Sequence, residues 1–274
     1  MRSFAEQQVL ARLNRVRDEL ERARANPDED AIHDLRVSIR RLSQALRILA
    51  HLLGPKIARQ LRASLRPLLK AAGEVRNCDI GISILRRSRL PDVDPIIHHL
   101  RAQRAATLQA FTQLLHANPL PQAAPQWRPQ PKPGRWNPAA SPAANAAAVL
   151  PALSRKFFKA GAAAARPETS WAELHQFRLR GKRYRYTLEL FLPVYGPGLE
   201  RRLDTLRRVQ TVLGDINDYE TLLAMPAVQS SPSVVAWLEH RRRQKRRKFD
   251  QLWTEEFAPE RQKRWIQYLK RYAR

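Results

Sequence analysis

Ile32, Leu35, Ile39, Leu42, Leu46, Leu49 and Leu53 recur at alternating steps of three and four residues. Only an α-helix turns that spacing into one continuous apolar face, and the heptad-like stripe is the pattern of a helix packed in a bundle. Similar stripes run through Val9, Leu13, Val16 and Leu20, through Leu61, Leu65 and Leu68, and through Ile97, Leu100, Leu108 and Phe111. Breakers separate them at Pro27, at Gly54-Pro55 and from Pro91 to Pro95. Four helices are expected before residue 117. Nine glycines in 274 residues, with few runs of Val, Ile and Thr, argue against a sheet.

The composition then changes. From Pro119 to Pro151 the chain carries nine prolines, with Trp127, Trp136 and several alanines among them. This reads as a loop or polyproline-like segment, too rich in proline for a helix. A structureless stretch of that length joins two units more readily than it sits inside one. The expected organisation is a first helical unit over 1–116, a Pro/Ala-rich linker over 117–143 and a second helical unit over 144–274.

The second unit repeats the first. An offset of 142 residues places His175 on His33, Phe177 on Leu35, Arg178 on Arg36, Lys182 on Arg40, Arg183 on Arg41 and Leu188 on Leu46. An offset of 141 places Arg207 on Arg66, Gly214 on Gly73, Glu220 on Asp79, Arg242 on Arg101 and Lys245 on Arg104. Duplication of a four-helix unit accounts for this better than chance does. Ser170-Trp171-Ala172-Glu173 has capping-box spacing and marks the start of the second His-bearing helix.

Charge narrows the function. There are 50 Lys plus Arg against 25 Asp plus Glu, a net charge of +25, which disfavours a cationic substrate or a basic partner. Forty of the basic residues are Arg and ten are Lys. Arg presents a planar fork of donors suited to phosphate or carboxylate, so the bias suggests phosphate recognition. Codon usage in a GC-rich genome is the plainer alternative. Cys78 is alone, so it supplies no disulfide or thiolate cluster and is expected as a small buried side chain. The N-terminus lacks an apolar signal region, and no run reaches the roughly 18 apolar residues of a membrane span. A soluble, cytoplasmic protein is expected.

On a wheel centred on Leu35, His33, Arg36, Arg40 and Arg47 fall between roughly 100° and 160°. His175, Arg178, Lys182 and Arg185 occupy roughly 80° to 160° on the matching wheel. Each unit thus lines one His and three cations beside its apolar stripe, with no acid interleaved in the first to relieve the repulsion. A solvated basic face explains one such row; two rows headed by His at the same place are harder to explain that way.

His-x-x-Arg-x-x-x-(Arg/Lys)-Arg occurs twice, as His33-Asp34-Leu35-Arg36 through Arg40-Arg41 and as His175-Gln176-Phe177-Arg178 through Lys182-Arg183. Each copy is followed about 40 residues on by a glycine-led acidic motif, Gly73-Glu74-Val75-Arg76-Asn77-Cys78-Asp79 and Gly214-Asp215-Ile216-Asn217-Asp218. In this order and spacing the chain resembles the CHAD domain family, the conserved-histidine α-helical domain. The resemblance covers the chain apart from the Pro-rich segment and the last dozen residues. It implies an all-α fold, an internally duplicated pair of four-helix bundles whose basic helices face a central groove or pore, and binding of inorganic polyphosphate. The residues placed in that role are His33, Arg36, Arg40, Arg41, Arg47, Arg66, Arg76, Arg101 and Arg104, with His175, Arg178, Lys182, Arg183, Arg185, Arg207, Arg242 and Lys245. Ser43 stands where family members often carry Arg, Asn77 where they usually carry Asp, and Glu189 opposite Arg47, so the two rows are expected to grip unequally.

No metal or other cofactor is expected, since the positions three and four residues after His33 are Arg36 and Val37, Asp34 points to another face, and the surrounding cations repel a metal. The histidines fit better as hydrogen-bond donors to phosphate. In Arg241–Lys248, Arg242 and Lys245 are expected in the groove and the remaining cations in solvent. The acids Glu74, Asp79, Asp215 and Asp218 are expected to pair with Arg of neighbouring helices. There is no Gly-rich phosphate loop, ordered triad or Glu-x-Glu-x-Lys pattern, so a non-catalytic module is expected that targets or organises polyphosphate, in the cytoplasm and with polyphosphate granules. RNA or DNA binding through 241–248 and a phosphohydrolase activity are the alternatives.

Overall fold

The computed structural model describes residues 1–117 and 136–271, and among these it is all-helical with no strand. Most of the expected 117–143 linker lies outside the described residues. Contacts sort the chain into two compact units, one built from residues 2–117 with 224–237 and one from 136–223 with 238–271.

The first unit contains α1 (Arg2–Ala25), α2 (Glu29–Leu53), α3 (Pro55–Ser88), a 3-10 turn at Pro91–Val93 and α4 (Asp94–Ala117). Asp28 caps α2 by accepting from the Ala31 N–H at 2.7 Å. Gly54, at φ 120°, ends α2, and Pro55 opens α3 at once. A side-chain-bearing residue rarely adopts that φ, so the Gly54-Pro55 pair makes a corner rather than one long helix. Arg89, left-handed at φ 58°, ends α3. All seven residues of the α2 stripe have no exposed surface, and Cys78 is buried as expected. Each such Leu or Ile contributes about 1.5–3 kcal/mol relative to exposure. The short α9 (Pro226–Gln229) and the start of α10 (Pro232–Glu256) pack here, with Ser233 Oγ donating to Asp92 at 3.1 Å.

The second unit contains α5 (Pro142–Ala164), α6 (Trp171–Leu190), the single turn α7 (Leu192–Tyr195), α8 (Pro197–Leu223), the rest of α10 and α11 (Pro259–Lys270). The reading of Pro119–Pro151 as loop throughout is corrected at its end: α5 begins at Pro142 and runs through Pro151. A proline in the first helical turn loses no hydrogen bond, and α3, α5, α8, α9, α10 and α11 all open on one. Ser141 caps α5, and buried Asn145 accepts from the Asn137 N–H at 2.6 Å and donates to the Asn137 carbonyl at 2.8 Å. The capping box at Ser170 and Glu173 is formed as its spacing predicts. The core is aromatic: Phe157 stacks on Tyr184 at 4.6 Å and Trp253 on Phe257 at 4.5 Å, with Phe158, Phe177 and Trp265 around them. Within it the Tyr184 hydroxyl meets Ser154 Oγ at 2.6 Å and accepts from Trp265 Nε1 at 3.0 Å, and burial pushes the phenol pKa up.

Candidate anion-binding surface

In the first unit α2 carries the His-led row and α3 the glycine-led motif. The Arg36 guanidinium lies across Gly73 and donates to the Ala72 carbonyl at 2.9 Å. Arg76 pairs with Glu29 in the first turn of α2, and Arg104 donates to buried Asp79 at 2.5 Å. These contacts fix three of the candidate cations on three helices. His33 is exposed on α2, yet partial burial of its ring, then Arg76, then Arg36, lower its pKa, against the opposing pull of Asp34 and Asp30. Arg41, Arg47, Arg66 and Arg101 are exposed and Arg40 is partly buried. Arg40, Arg66 and Arg101 have no ion pair or hydrogen bond among the described residues. Arg66 lies on the Gly73 side of α3, two turns away.

The second unit uses its cations differently. His175 Nδ1 meets Asn217 Oδ1, an amide oxygen that accepts, at 2.6 Å, which ties the ring on α6 to the glycine-led motif of α8. Burial raises the Asp218 pKa, while Arg178 and Lys182 of α6, and a hydrogen bond from Asn217, pull it down. Lys245 pairs with Asp215 at 2.5 Å. Arg242 pairs with Glu220 and lies 4.3 Å over the Trp171 ring. Arg207 is exposed and paired with Asp204, and Arg183 is exposed. Arg185 is turned inward, 12% exposed, donating to Gln210 at 2.7 Å and to Glu189, and lying over Tyr186 at 4.6 Å.

The acids were expected to pair with Arg of neighbouring helices. Asp79 does so, Asp215 takes a Lys, and Glu74 reaches Lys70 of its own helix at 4.0 Å. The solvated reading of the other 241–248 cations fails at Arg246, which is 12% exposed. Arg246 donates to both Asp250 oxygens at 3.0 Å, to the Thr169 carbonyl at 3.3 Å and to the Arg166 carbonyl at 2.5 Å, which ties α10 to the loop before α6. Arg243, Arg247 and Lys248 are exposed. Sequence reasoning also missed Trp171 as the platform under Arg242 and Glu29 as the partner of Arg76. Neither pairing has a local signal, because each joins helices far apart in sequence. No described helix is long and apolar enough to cross a membrane.

The chain shares its architecture with two solved structures. A crystal structure of the CHAD domain from the plant Ricinus communis aligns with a TM-score of 0.61 at 19% identity, over 99% of this chain and 92% of that one. PptA from Streptomyces chartreusis aligns with a TM-score of 0.64 at 19% identity, over 93% of this chain and 99% of that one. No curated protein sequence matches. The CHAD domain model matches residues 7–227, which include both His-led rows and both glycine-led motifs. The chain belongs to the CHAD domain family.

Proposed function

We propose that this protein binds inorganic polyphosphate without transforming it, and so targets or organises the polymer. The observation that carries the reading is the cationic surface of α2, α3 and α4 in the first unit, which has no exposed Phe, Tyr or Trp. Helices α2 and α3 contain no Phe, Tyr or Trp, and the one such residue of α4, Phe111, is completely buried. Sites for single-stranded nucleic acid interleave stacking rings with their cations, whereas a chain of phosphates has no base to stack. Arg40, Arg66 and Arg101 keep their fork-shaped donors uncommitted among the described residues, and rigid helices hold them. A helical row rises about 5.4 Å per turn, so it follows a polyanion longer than one phosphate.

Family membership and the repeated His-x-x-Arg order support a row in each half, unequal in strength because Arg185, within the second row itself, is turned inward onto Glu189. The same membership supports a place beside polyphosphate deposits in the cytoplasm. A competition assay tests the reading: labelled long-chain polyphosphate should stay bound when RNA is added at equal phosphate concentration. Displacement by RNA defeats it, and sustained orthophosphate release by the purified protein defeats its non-catalytic part.

A further inference from the structure

Helix α11 lies beyond the residues the family model matches, and it forms one side of a cleft in the second unit. The cleft has a volume of about 400 Å³ and is lined by Arg201, Arg202 and Thr205 of α8, Glu256 at the end of α10, and Arg261, Arg264 and Trp265 of α11. Four guanidinium groups therefore face one carboxylate. On the α8 wheel, Arg201 and Thr205 lie roughly opposite Gly214, so this face is not the one bearing the glycine-led motif.

The cleft is built rather than incidental. The buried Trp265 indole is anchored on Tyr184, which sets the position of α11. Arg202 donates to the Gly198 carbonyl at 2.8 Å and lies 3.7 Å over the Tyr268 ring and 5.7 Å from Trp265. Its Nε is buried with no hydrogen-bond partner. A buried donor left unmade costs about 1–3 kcal/mol, more when charged, so the ring contacts and the Gly198 carbonyl hold this side chain in place. Burial, and after it the neighbouring Arg201, lower the Arg202 pKa, against Tyr268 and Tyr184. Glu256 accepts from Arg208 at 2.8 Å and from Arg261 at 3.1 Å, so it steadies the rim. Arg201 and Arg264, one from each wall, are exposed and have no side-chain ion pair or hydrogen bond among the described residues.

We infer that this cleft is a second anion site, separate from the His-led rows, that takes the di- or triphosphate group of a small molecule. Four guanidinium groups against one carboxylate leave the cleft with a surplus of positive charge that a di- or triphosphate balances more fully than a single phosphate does. The volume falls in the range of small-molecule sites. Free oligophosphate and a nucleoside triphosphate offer the same group.

Calorimetric titration at about 0.15 M salt with inorganic triphosphate, ATP and adenosine tests the site on the full chain. Wild-type protein should bind triphosphate and ATP at one site and adenosine not at all. Arg201→Ala with Arg264→Ala should weaken both by at least about tenfold, since each removes charge-assisted hydrogen bonds. Neither residue has a partner to lose, so thermal stability should hold. Arg40→Ala with Arg66→Ala, on the first unit, should leave triphosphate binding unchanged while weakening long-chain polyphosphate. Equal affinity for triphosphate and ATP identifies the free oligophosphate as sufficient; clear preference for ATP identifies the nucleotide. Unchanged triphosphate binding in the cleft variant, its loss in the Arg40/Arg66 variant, or adenosine binding as well as ATP overturns the inference without touching the polyphosphate reading.

Discussion

Arg36 crosses α3 at Gly73, where a Cβ would stand 3.1 Å from Arg36 Nη1. The glycine therefore gives the guanidinium a seat on the α3 backbone, donating to the Ala72 carbonyl. In Gly73→Ala the flexible Arg36 tip gives way rather than the helix. The helix gains about 0.5–1 kcal/mol of propensity and loses a hydrogen bond worth about as much. Stability in urea should hardly change, while polyphosphate affinity falls as Arg36 loses its fixed place. Gly214→Ala is the control, because a Cβ there meets nothing within 4 Å and should leave affinity alone. Equal affinities for the two variants would show that the Arg36 seat is irrelevant to binding.

Gly161 answers to packing instead. A Cβ there would overlap the Trp253 ring, which is locked among Phe157, Phe177 and Phe257. Gly161→Ala should cost about 3 kcal/mol, as overpacking of a full core does. Adding Trp253→Phe makes room and should restore part of the loss, read as non-additivity in a double-mutant cycle. A Gly161→Ala protein as stable as wild type would mean that the α5–α10 contact is loose.

The helices of the first half were legible because stripe and breakers agree: the seven α2 positions are all fully buried, and Gly54-Pro55 is a sharp corner. Proline was the misleading signal further on. The same residue that forbids a helix interior favours a helix start, and only the cap at Ser141 separates the two uses before α5. Among the cations, a wheel shows which face a residue takes but not what stands opposite. Arg185 falls on the row by angle, yet Gln210 of α8 and Glu189 turn it inward. Arg246 sits in a run of charge, yet the loop before α6 takes it. Both outcomes depend on residues from other elements, which helical periodicity does not encode.

That difference separates two arginines of similar sequence standing. Arg40 has no partner among the described residues, so Arg40→Ala should leave the melting temperature near wild type. It should make the salt dependence of polyphosphate binding shallower by up to about one unit, if counterion release follows the behaviour seen on nucleic acids. Arg185→Ala takes the Arg185 cation away from the 10%-exposed Glu189 and the Gln210 side chain. Removing one partner of a buried pair costs on the order of 3 kcal/mol, so this variant should lose stability with little change in salt slope. A reversed pattern would place Arg185, not Arg40, in the binding row.

The pH response should rest on His33. Partial burial, Arg76 and Arg36 hold its pKa below the ordinary value, so the unliganded folded protein favours the neutral ring. Its contribution to stability is therefore complete above about pH 6.5, the unfolded value, and is lost as pH falls through the lower folded value. A bound polyanion offsets the field of the two arginines and raises the pKa of the complex, so binding takes up a proton. Affinity should then rise as pH falls from about 8 to about 6, and keep rising until the free protein's own His33 charges. His33→Gln keeps a polar side chain but cannot titrate, and should flatten most of that rise. Long-chain polyphosphate has few weakly acidic end groups, and wild type and variant must be titrated against the same preparation so that their contribution cancels. If the variant keeps the full wild-type slope, proton uptake belongs to another group and His33 does not touch the ligand.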